Sequence, residues 1–514
     1  MARVRSVQKI TAYEDVPFSE VREWFDAHLA PSVIDTADEH VMKHVYHDGR
    51  FLGVFQCTER GAQKFFMRAK PDSVYDIAAL TAIFRPGPLA AHVDKQYVEA
   101  KLSGVPYDWG YECINTVLKK THGFVIFQEQ VMQLAEHVAL FPKQECDRVR
   151  RAIMKRSLEK LDQNRAEVDA IKFEFVAGAL KNGVDEKTAT KLYENIQNFS
   201  GYAFNFSHAL SYAFDSYYCA WLMTYHEDEW LAAYMDNMST SPERKAKAAG
   251  ELAKINRRIA KLDVNEGGIG WTCTKSGELM PSLSACTGVG DSAVREIMLN
   301  RPYTSIEDLL WNSDGTWRHS KFNKKALETL INIEALDSLN CVGDGKLFSS
   351  YAHMHHVIVE NMSEIKKTPK KEPGYGMRRM YEIARETRDT IKSWSPIERA
   401  EKMMEHLGSV DASAIVPASI REMLDKKQVL SIDDVEEQEL AWFVVSTTKV
   451  KKTKKGKDYL LLEVMGPASQ KHKLFVWNWS QRSDQVPCFS TCIADVKKSD
   501  MGFSTSFNAM RVLT

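Results

Sequence analysis

The pattern of apolar and polar residues changes along the chain from helical spacing to alternation. Val21, Trp24, Phe25 and Leu29 stand at positions i, i+3, i+4 and i+8, the spacing of one apolar helix face. The sequence fits further helices over residues 128–139, 145–154, 158–180, 186–199, 207–235, 245–262, 292–300 and 324–333. From about residue 436 the period changes to two, which predicts strands over 441–445, 459–464 and 473–477. Short strands at this spacing suggest a small barrel.

The charge balance is close to neutral over 514 residues. Lys and Arg total 68 and Asp and Glu total 69, so the formal net charge is -1. This excludes a chain saturated with positive charge, such as a histone-like DNA packer, but it permits local basic patches that bind nucleic acid. The length is too great for one ordinary core, so several domains are expected.

Cysteine usage and hydropathy indicate the compartment. The cysteines are scattered, with only Cys488 and Cys492 close together, which indicates free thiols in a reducing compartment. No Cys-x-x-Cys pair occurs, so a zinc site is not expected. No apolar run approaches the roughly 20 residues that span a bilayer. We expect a cytoplasmic protein without a membrane partner, in the host cytoplasm if the source is a virus.

Basic residues cluster on the predicted helix 145–154. Arg150 and Arg151 head the cluster, with Arg148, Lys155 and Arg156 around them. Guanidinium groups match the oxygens of a triphosphate or of a nucleic-acid backbone, so this face is a candidate phosphate site. A solvated basic helix face without a ligand is the plainer alternative.

A polar and aromatic loop, residues 201–208, leads into the predicted helix 207–235. Asn205 and Ser207 are residue types that cap a helix N-terminus, and capping is the default interpretation of both. Alternatively, the helix N-terminus faces an anion, with His208 as an additional donor. The residues alone leave both interpretations open.

A Gly-x-Gly turn, Gly288-Val289-Gly290, lies between two predicted helices and fits a helix-hairpin-helix. Its glycines let backbone N–H groups approach a DNA phosphate without reading the base sequence. An ordinary helix connection is the alternative.

Lysines crowd the first hairpin of the predicted barrel, with no acidic residue among them. They are Lys449, Lys451, Lys452, Lys454, Lys455 and Lys457. Trp477 and Trp479 follow on a later strand. A basic groove with aromatic platforms is the means by which OB-folds bind single-stranded nucleic acid. The alternatives are an exposed turn for the lysines and core positions for the tryptophans.

Taken in order, these motifs resemble the C-terminal part of the DNA polymerase III alpha subunit, the bacterial replicative polymerase of family C. Five segments of the chain resemble parts of its fingers domain. They are Gly53-Val54-Phe55-Gln56 with Glu59-Arg60-Gly61, Phe84-Arg85-Pro86-Gly87-Pro88-Leu89, residues 121–132, Arg150-Arg151-Ala152 and residues 201–208. Gly288-Val289-Gly290 and Asn323-Lys324-Lys325 look like its helix-hairpin-helix region, and the lysine-rich hairpin looks like its OB-fold. The resemblance runs from about residue 35 to the end.

The resemblance implies a fold class and a domain order. The expected fold is multidomain and mainly α, with polymerase fingers and a helix-hairpin-helix region followed by a C-terminal all-β OB-fold. The expected domains are fingers over residues 1–240, a helix-hairpin-helix DNA-binding region over 241–345, a basic linker and helical connector over 346–432, and the OB-fold over 433–514.

The resemblance also implies which residues bind the incoming dNTP and the primer-template DNA. For the nucleotide these are Arg150, Arg151, Asn205, Ser207 and His208. For duplex and single-stranded DNA they are Gly288, Val289, Gly290, Lys324, Lys325, Lys452, Lys454, Lys455 and Lys457. Phe206 stands where the family has Lys, and Met154 where it has Gly, so one phosphate contact is expected to be lost or replaced.

Catalytic residues and metal ligands are not expected in this chain. It contains no Asp-x-Asp triplet to hold the catalytic metals, and in the family the palm aspartates and the PHP domain precede the fingers. The leading hypothesis is therefore one half of a split polymerase, with Mg²⁺ held mainly by a separate palm and PHP chain. A catalytically inactive, polymerase-derived DNA-binding or regulatory protein is the alternative, and a longer parent chain is a third possibility.

A sliding clamp is a further candidate partner. Residues 344–348, ending in Leu347-Phe348, take the place of the family's clamp peptide but lack its Gln. They are either a degenerate clamp motif or the start of a helix.

Overall fold

A computed structural model describes residues 17–85, 88–89, 92–155, 165–200, 204–238, 242–367, 372, 374–408, 415–453, 455–467, 471–479, 486–499 and 501–513. The chain divides into two compact units, Met1–Glu227 and Asp228–Thr514. Across the described residues, every helix is too short or too polar to cross a bilayer.

The first unit is helical. Its helices are α1 (Phe18–His28), α2 (Glu39–Val41), α3 (Arg60–Ala69), α4 (Val74–Ile83), α5 (Val93–Ser103), α6 (Glu112–Leu118), α7 (Gln128–His137), α8 (Cys146–Lys155), α9 (Arg165–Lys181), α10 (Glu186–Ser200) and α11 (Phe206–Tyr225). A π-helical turn, Met42–His47, continues α2. The helices predicted over 128–139, 145–154 and 186–199 are confirmed to within about two residues.

Core packing fixes the orientation of α8. Val149 and Ala152 belong to the same buried cluster as Phe175 of α9. Because a helix turns once in about 3.6 residues, Arg150 and Arg151 lie away from that core. Of the predicted basic cluster, Arg148 and Arg151 are exposed and Arg150 is partly exposed, while Arg156 and the side chain of Lys155 lie outside the described set.

The long helix predicted over 207–235 is two helices, which corrects that prediction. α11 ends at Tyr225, and α12 (Glu227–Met238) begins after His226, whose backbone has left the helical region at φ -138° and ψ 48°. The ring of His226 packs against Trp221, with centroids 5.5 Å apart, and meets Trp24 edge-on at 6.3 Å. These ring contacts accompany the departure from the helical path.

The second unit combines helices with strands. After α12 come α13 (Pro242–Lys254), α14 (Asp291–Asn300), α15 (Ile306–Leu310), α16 (Lys324–Asn332), α17 (Tyr351–His355), α18 (Met362–Ile365), α19 (Tyr375–Thr387), α20 (Pro396–Leu407) and α21 (Ala418–Lys426). The helix predicted over 245–262 stops at Lys254, because Asn256 adopts a left-handed conformation at φ 58°. β1 (Thr272–Cys273) and β2 (Leu279–Met280) form a short antiparallel pair.

One buried cluster extends from Leu262 to Ala384. It includes Val289 of the Gly-x-Gly turn together with side chains of α14, α16 and α19. The turn is followed by α14 as expected, but turns rather than a helix precede it. The boundary expected between residues 345 and 346 falls inside this cluster, so the hairpin region and the first helices after it share a core.

The C-terminal strands close into a barrel. β3 (Leu430–Ser431), β4 (Gln438–Lys452), β5 (Asp458–Met465), β6 (Lys471–Trp477), β7 (Thr491–Ser499), β8 (Gly502–Ser506) and β9 (Met510–Val512) follow the order β3-β4-β5-β6-β8-β7-β9, and β4 also pairs with β7. β4 reaches both neighbours because its register shifts between Val445 and Thr447. A five-stranded barrel of this kind is the OB-fold. The predicted fold class, mainly helical with a C-terminal OB-fold, is confirmed.

One carboxylate ties α14 to the segment before α16. Glu296 accepts hydrogen bonds from the backbone N–H groups of Ser320 (2.9 Å), Lys321 (2.8 Å) and Phe322 (2.6 Å). Burial alone would raise the pKa of Glu296, but these hydrogen bonds outweigh it and lower the pKa from 4.5 to about 2.

Glu296→Gln is expected to lower the free energy of unfolding by about 1 kcal/mol at neutral pH, because it removes the charge from these hydrogen bonds. The effect is modest because solvent screens the partly exposed carboxylate. Because the folded-state pKa is depressed, the stabilisation is present above pH 4.5 and is lost as the pH falls toward about 2. Urea unfolding at several pH values measures the difference between wild type and variant. A difference that does not shrink on acidification would contradict this account.

Candidate nucleotide and DNA interface

Two distant segments of the first unit meet where the nucleotide site was expected. Phe127, just before α7, forms a parallel β-bridge with Phe204, just before α11. The N–H of Gln128 donates to the carbonyl of Phe204 (2.9 Å), and the N–H of Phe204 donates to the carbonyl of Ile126 (3.1 Å). The N-termini of α7 and α11 therefore lie side by side.

A buried glutamine holds the loop before α7. The Oε1 atom of Gln130 accepts from the N–H groups of Ile126 (2.8 Å) and Phe127 (3.0 Å). Its Nε2 atom donates to Oγ1 of Thr121 (2.7 Å). All these groups are buried, so the loop is tightly specified.

Glu129 occupies the N-terminus of α11. Its carboxylate accepts from the side-chain amide of Asn205 (2.9 Å) and from the N–H of Phe206 (2.9 Å). Asn205 is the N-cap of α11, because its Oδ1 atom accepts from the N–H of His208 (2.9 Å). Ser207 lies inside the first turn with an exposed side chain. The negative charge that a helix N-terminus favours thus comes from the chain itself.

Asp147 holds both arginines of α8. Arg150 donates to its Oδ1 atom through Nε (2.9 Å) and Nη2 (2.7 Å), and Arg151 donates to Oδ2 through Nε (2.7 Å). Hydrogen bonds from Arg151 and Arg150 lower the pKa of Asp147. Arg150 also reaches Oε1 of Gln128 (3.3 Å), whose backbone binds Phe204. Arg150 is therefore joined to the paired N-termini, whereas Arg151 is 67% exposed on the outer side.

His208 lies in a column of aromatic rings. Its ring centroid is 5.2 Å from that of Phe204 and 4.2 Å from that of Tyr212, and Tyr212 continues to Phe55 at 5.2 Å. The guanidinium of Arg85 lies 4.4 Å from the centroid of Phe204. Successive rings are tilted by 47–55° to one another, and Arg85 makes a cation–π contact with the first of them.

Phe206, the departure from the family's Lys, is integrated into a second ring cluster. Its centroid lies 5.0 Å from that of Phe127 and 5.3 Å from that of Tyr75. Lys120 lies over Tyr75, with Nζ 5.2 Å from the ring centroid. The side chain at position 206 thus packs in the fold, with a cation two contacts away. The other departure, Met154, has a side chain outside the described set.

In the second unit, the Gly-x-Gly turn lies against the first two turns of α16. Gly288 has φ 109°, and a Cβ atom there would stand 2.5 Å from Oγ1 of Thr329 and 3.4 Å from Cε of Lys325. Lys324 and Lys325 are both exposed. Gly290 is exposed too, and nothing lies within 4 Å of the position that its Cβ would take. The turn and the two ammonium groups form a surface suited to a DNA backbone.

Val289 does not fit the DNA-binding role expected of it. Its N–H donates to the carbonyl of Cys286 (3.1 Å), and its side chain is buried in the cluster that begins at Leu262. A valine side chain is more stable in the core than on the surface. Val289 therefore anchors the turn, with Gly290 exposed to solvent and Gly288 partly exposed.

Helix α20 braces this region, which the sequence analysis missed. Nδ1 of His406 lies 3.0 Å from the carbonyl oxygen of Thr287, and the N–H of Thr287 donates to the carbonyl of His406 (2.8 Å). Two helical turns earlier, Arg399 donates through Nε and Nη2 to the two oxygens of Glu334 (2.6 Å each). Each of these pairs joins residues far apart in sequence, so no local sequence pattern predicts the contacts of His406 and Arg399.

The lysines of the first barrel hairpin are exposed. This holds for Lys452, Lys455 and Lys457, while Lys454 lies outside the described residues. Lys457 reaches toward the end of β6, with Nζ 3.5 Å from Oδ1 of Asn478.

The two tryptophans of the expected platform have different environments. Trp477 is 40% exposed, whereas Trp479 is buried in the barrel core. Trp479 is therefore a core residue, as the alternative interpretation predicts, whereas the ring of Trp477 is accessible at the surface.

Residues 344–348 do not present a clamp peptide. Phe348 is fully buried, and its N–H donates to the carbonyl of Cys341 (3.0 Å). A clamp peptide offers its aromatic side chain to a partner, which the buried Phe348 does not do in this structure. Helix α17 begins shortly afterwards, capped by Ser350.

Within the described parts of the chain, no three His, Cys, Asp or Glu side chains converge as metal ligands would. The described residues therefore do not fit the two Mg²⁺ ions of a polymerase.

Comparisons with known proteins agree with this architecture. Residues 16–182 match the bacterial DNA polymerase III alpha subunit finger domain, and residues 256–342 match a helix-hairpin-helix motif. The chain is 30% identical to DNA polymerase III subunit alpha of Chlamydia muridarum over 350 residues, which is 67% of this chain and 26% of that protein. It is 27% identical to the Aquifex aeolicus subunit over 434 residues, 82% of this chain and 34% of that protein.

The Escherichia coli K12 subunit is 31% identical over 295 residues, 56% of this chain and 24% of that protein. The chain is similar to the C-terminal part of bacterial DNA polymerase III alpha subunits, with a finger domain followed by a helix-hairpin-helix motif. It spans about a quarter to a third of the length of these relatives. The finger-domain match includes Arg150, Arg151 and Gln128, while residues 204–208 lie beyond it.

Proposed function

We propose that this chain supplies the nucleotide-binding fingers and the DNA-binding modules of a replicative DNA polymerase. In this proposal Arg150 meets the triphosphate of the incoming dNTP, with Arg151, Ser207 and His208 beside it. Asn205 contributes by capping the helix that carries Ser207 and His208. The observation that carries the proposal is the hydrogen-bonded path from Arg150 through Gln128 to the backbone at residue 204.

The remaining modules would hold the primer-template. Gly288 and Gly290, with Lys324 and Lys325, are proposed to contact the duplex backbone, which suits an enzyme that must bind every sequence. The lysine-rich hairpin of the OB-fold is proposed to bind the single-stranded template through its phosphates. The order of domains along the chain, from fingers to OB-fold, is part of the same proposal.

The catalytic aspartates and their Mg²⁺ ions are proposed to come from a separate palm and PHP chain. Support comes from the sequence itself, which contains no Asp-x-Asp triplet that could hold the catalytic metals. Primer extension tests the proposal, with this chain, the candidate palm chain from the same genome, and the two mixed. Synthesis is expected only in the mixture. A mixture that incorporates no dNTP would refute the split arrangement.

A polymerase-derived DNA-binding or regulatory protein without catalytic function is the second candidate. Two observations favour it, namely the Glu129 carboxylate at the N-terminus of α11 and the packing of Phe206 among aromatic rings. Photocrosslinking with an azido-dATP distinguishes the candidates. Labelled peptides from residues 128–151 or 204–212 support the fingers function, whereas DNA binding without nucleotide labelling supports the regulatory one.

A further inference from the structure

We propose that His406 is a positioning residue for the Gly-x-Gly turn. Through the carbonyl group of Thr287 it directs the N–H of Gly288 outward, toward a DNA phosphate. The inference rests on the proposed duplex-binding function of this turn and adds to it the group that sets the direction of a donor. His406 lies at the end of α20, 119 residues along the chain from Thr287.

Both backbone groups of Thr287 are held from outside the turn. Its N–H donates to the carbonyl of His406 (2.8 Å), and its carbonyl oxygen lies 3.0 Å from Nδ1 of the same histidine. A carbonyl oxygen can only accept, so Nδ1 carries the proton and donates it. The hydroxyl of Thr329 donates to the same carbonyl (3.2 Å). Two side-chain donors, on α20 and α16, therefore hold the carbonyl of Thr287.

These two donors fix the direction of the next N–H group. The carbonyl of Thr287 and the N–H of Gly288 belong to one planar trans peptide unit, so they point in opposite directions. His406 is 7% exposed and Thr329 is fully buried, so the carbonyl faces the interior and the N–H faces away from it. Within the part of the chain that the structure describes, that N–H has no acceptor, which leaves it for a phosphate oxygen.

The peptide unit needs such a restraint because one of its flanking residues is glycine. Gly288 has φ 109°, and glycine populates positive and negative φ about equally. The peptide plane between Thr287 and Gly288 could therefore rotate at little cost if nothing held its carbonyl. A rotated plane would turn the N–H of Gly288 toward the interior, where a phosphate cannot reach it. The hydrogen bond from His406 thus selects the orientation that binds DNA.

The imidazole ring is itself held in place. Its Nε2 atom lies 3.1 Å from Nδ2 of Asn332, which donates to it. The end of α20 is fixed by the buried Lys245 of α13, whose Nζ atom donates to the carbonyl of Leu407 (2.6 Å). A cation at the C-terminus of a helix is favourable. The ring therefore cannot turn away from Thr287 without losing these contacts.

Two substitutions of similar size separate the two contacts of the ring. Asparagine keeps a donor at the place of Nδ1, because its Nδ2 atom is also bonded to Cγ, whereas the amide of glutamine reaches the place of Nε2. In the full chain, His406→Gln is expected to weaken the binding of a short duplex about fivefold, the effect of one lost hydrogen bond. His406→Asn should stay within about twofold of wild type. Fluorescence anisotropy measures both affinities.

Urea unfolding of the same variants separates positioning from stability. Each variant keeps one of the two ring contacts, so both are expected to lose stability to a similar extent. His353→Gln is the matched control, because His353 is also fully buried in the second unit but its ring contacts Thr387 (3.1 Å) instead of the turn. It should lose stability and keep the duplex affinity of wild type.

The outcomes distinguish the inference from the function on which it rests. Equal duplex affinities of His406→Asn and His406→Gln, or a loss for His353→Gln as large as that for His406→Gln, would overturn the positioning role. If neither His406 variant folds, Thr329→Val and Thr329→Ser repeat the comparison at the second donor, with a loss expected only for valine, which lacks the hydroxyl. If wild type binds no duplex, the proposed function of the turn fails and the inference with it.

Discussion

Arg150→Ala is expected to weaken the binding of a deoxynucleoside triphosphate about ten- to a hundredfold. A hydrogen bond between charged groups contributes about 1.5–3 kcal/mol, and the guanidinium fork of Arg150 matches two phosphate oxygens at once. Asp147 holds the Nε and Nη2 atoms of Arg150, so a triphosphate must replace that carboxylate, while the contact with Gln128 keeps the side chain beside the paired N-termini. Titration of the full chain with a fluorescent dATP analogue measures the dissociation constant.

Two neighbouring variants make this result specific. Arg148→Ala removes a guanidinium from the same helix, but Arg148 pairs with Glu145 (2.9 Å) and Glu174 (3.6 Å), so a change below about twofold is expected. Asp147→Asn removes the carboxylate that competes for Arg150 and should strengthen binding. If Arg148→Ala costs as much affinity as Arg150→Ala, the effect is one of net charge, and the proposed triphosphate contact is wrong.

Local sequence patterns were sufficient to predict the helices and strands, but they did not predict where the chain changes direction. The apolar spacing of α7 and α10 and the alternation of β5 were enough to locate them. The break at His226 coincides with ring contacts to Trp221 and Trp24, which a periodicity argument cannot detect. Tertiary contacts determine where such helices end, so a prediction from apolar spacing alone makes them too long.

Strand parity shows the same limit within the barrel. Continued alternation would place Phe475, Trp477 and Trp479 on one face. β6 ends at Trp477, however, and Asn478 has φ 61°, which turns the chain so that Trp479 enters the core. Residue types such as asparagine tolerate this conformation, but the sequence does not tell where the reversal occurs.

The candidate site was predictable in part. Arg150 and Asn205 carry recognisable local signals, a basic helix face and a capping residue. Glu129 and His406 do not, because each acts on backbone groups far away in sequence. The motif around Glu129 resembles the family's fingers, but its physical role, supplying negative charge to the N-terminus of α11, depends on a contact 77 residues along the chain.

Gly288→Ala is expected to lower the free energy of unfolding of the second unit by about 2 kcal/mol and to abolish most duplex binding. A φ of 109° is unfavourable for an L side chain, and the new Cβ would stand 2.5 Å from Oγ1 of Thr329. Thr329 cannot easily yield, because its side chain is buried and its hydroxyl donates to the carbonyl of Thr287 (3.2 Å). Urea unfolding and titration with a short duplex measure the two effects.

Gly290→Ala is the matched variant, and it separates folding from binding. Gly290 has φ -87°, and its Cβ would meet no atom within 4 Å, so stability should stay the same or rise by about 0.5 kcal/mol. The methyl group would instead occupy the open space through which a phosphate approaches the turn, so duplex affinity should fall several-fold at unchanged stability. If Gly290→Ala binds duplex as wild type does, DNA does not approach the turn at this residue. If both variants destabilise equally, the steric explanation for Gly288 is wrong.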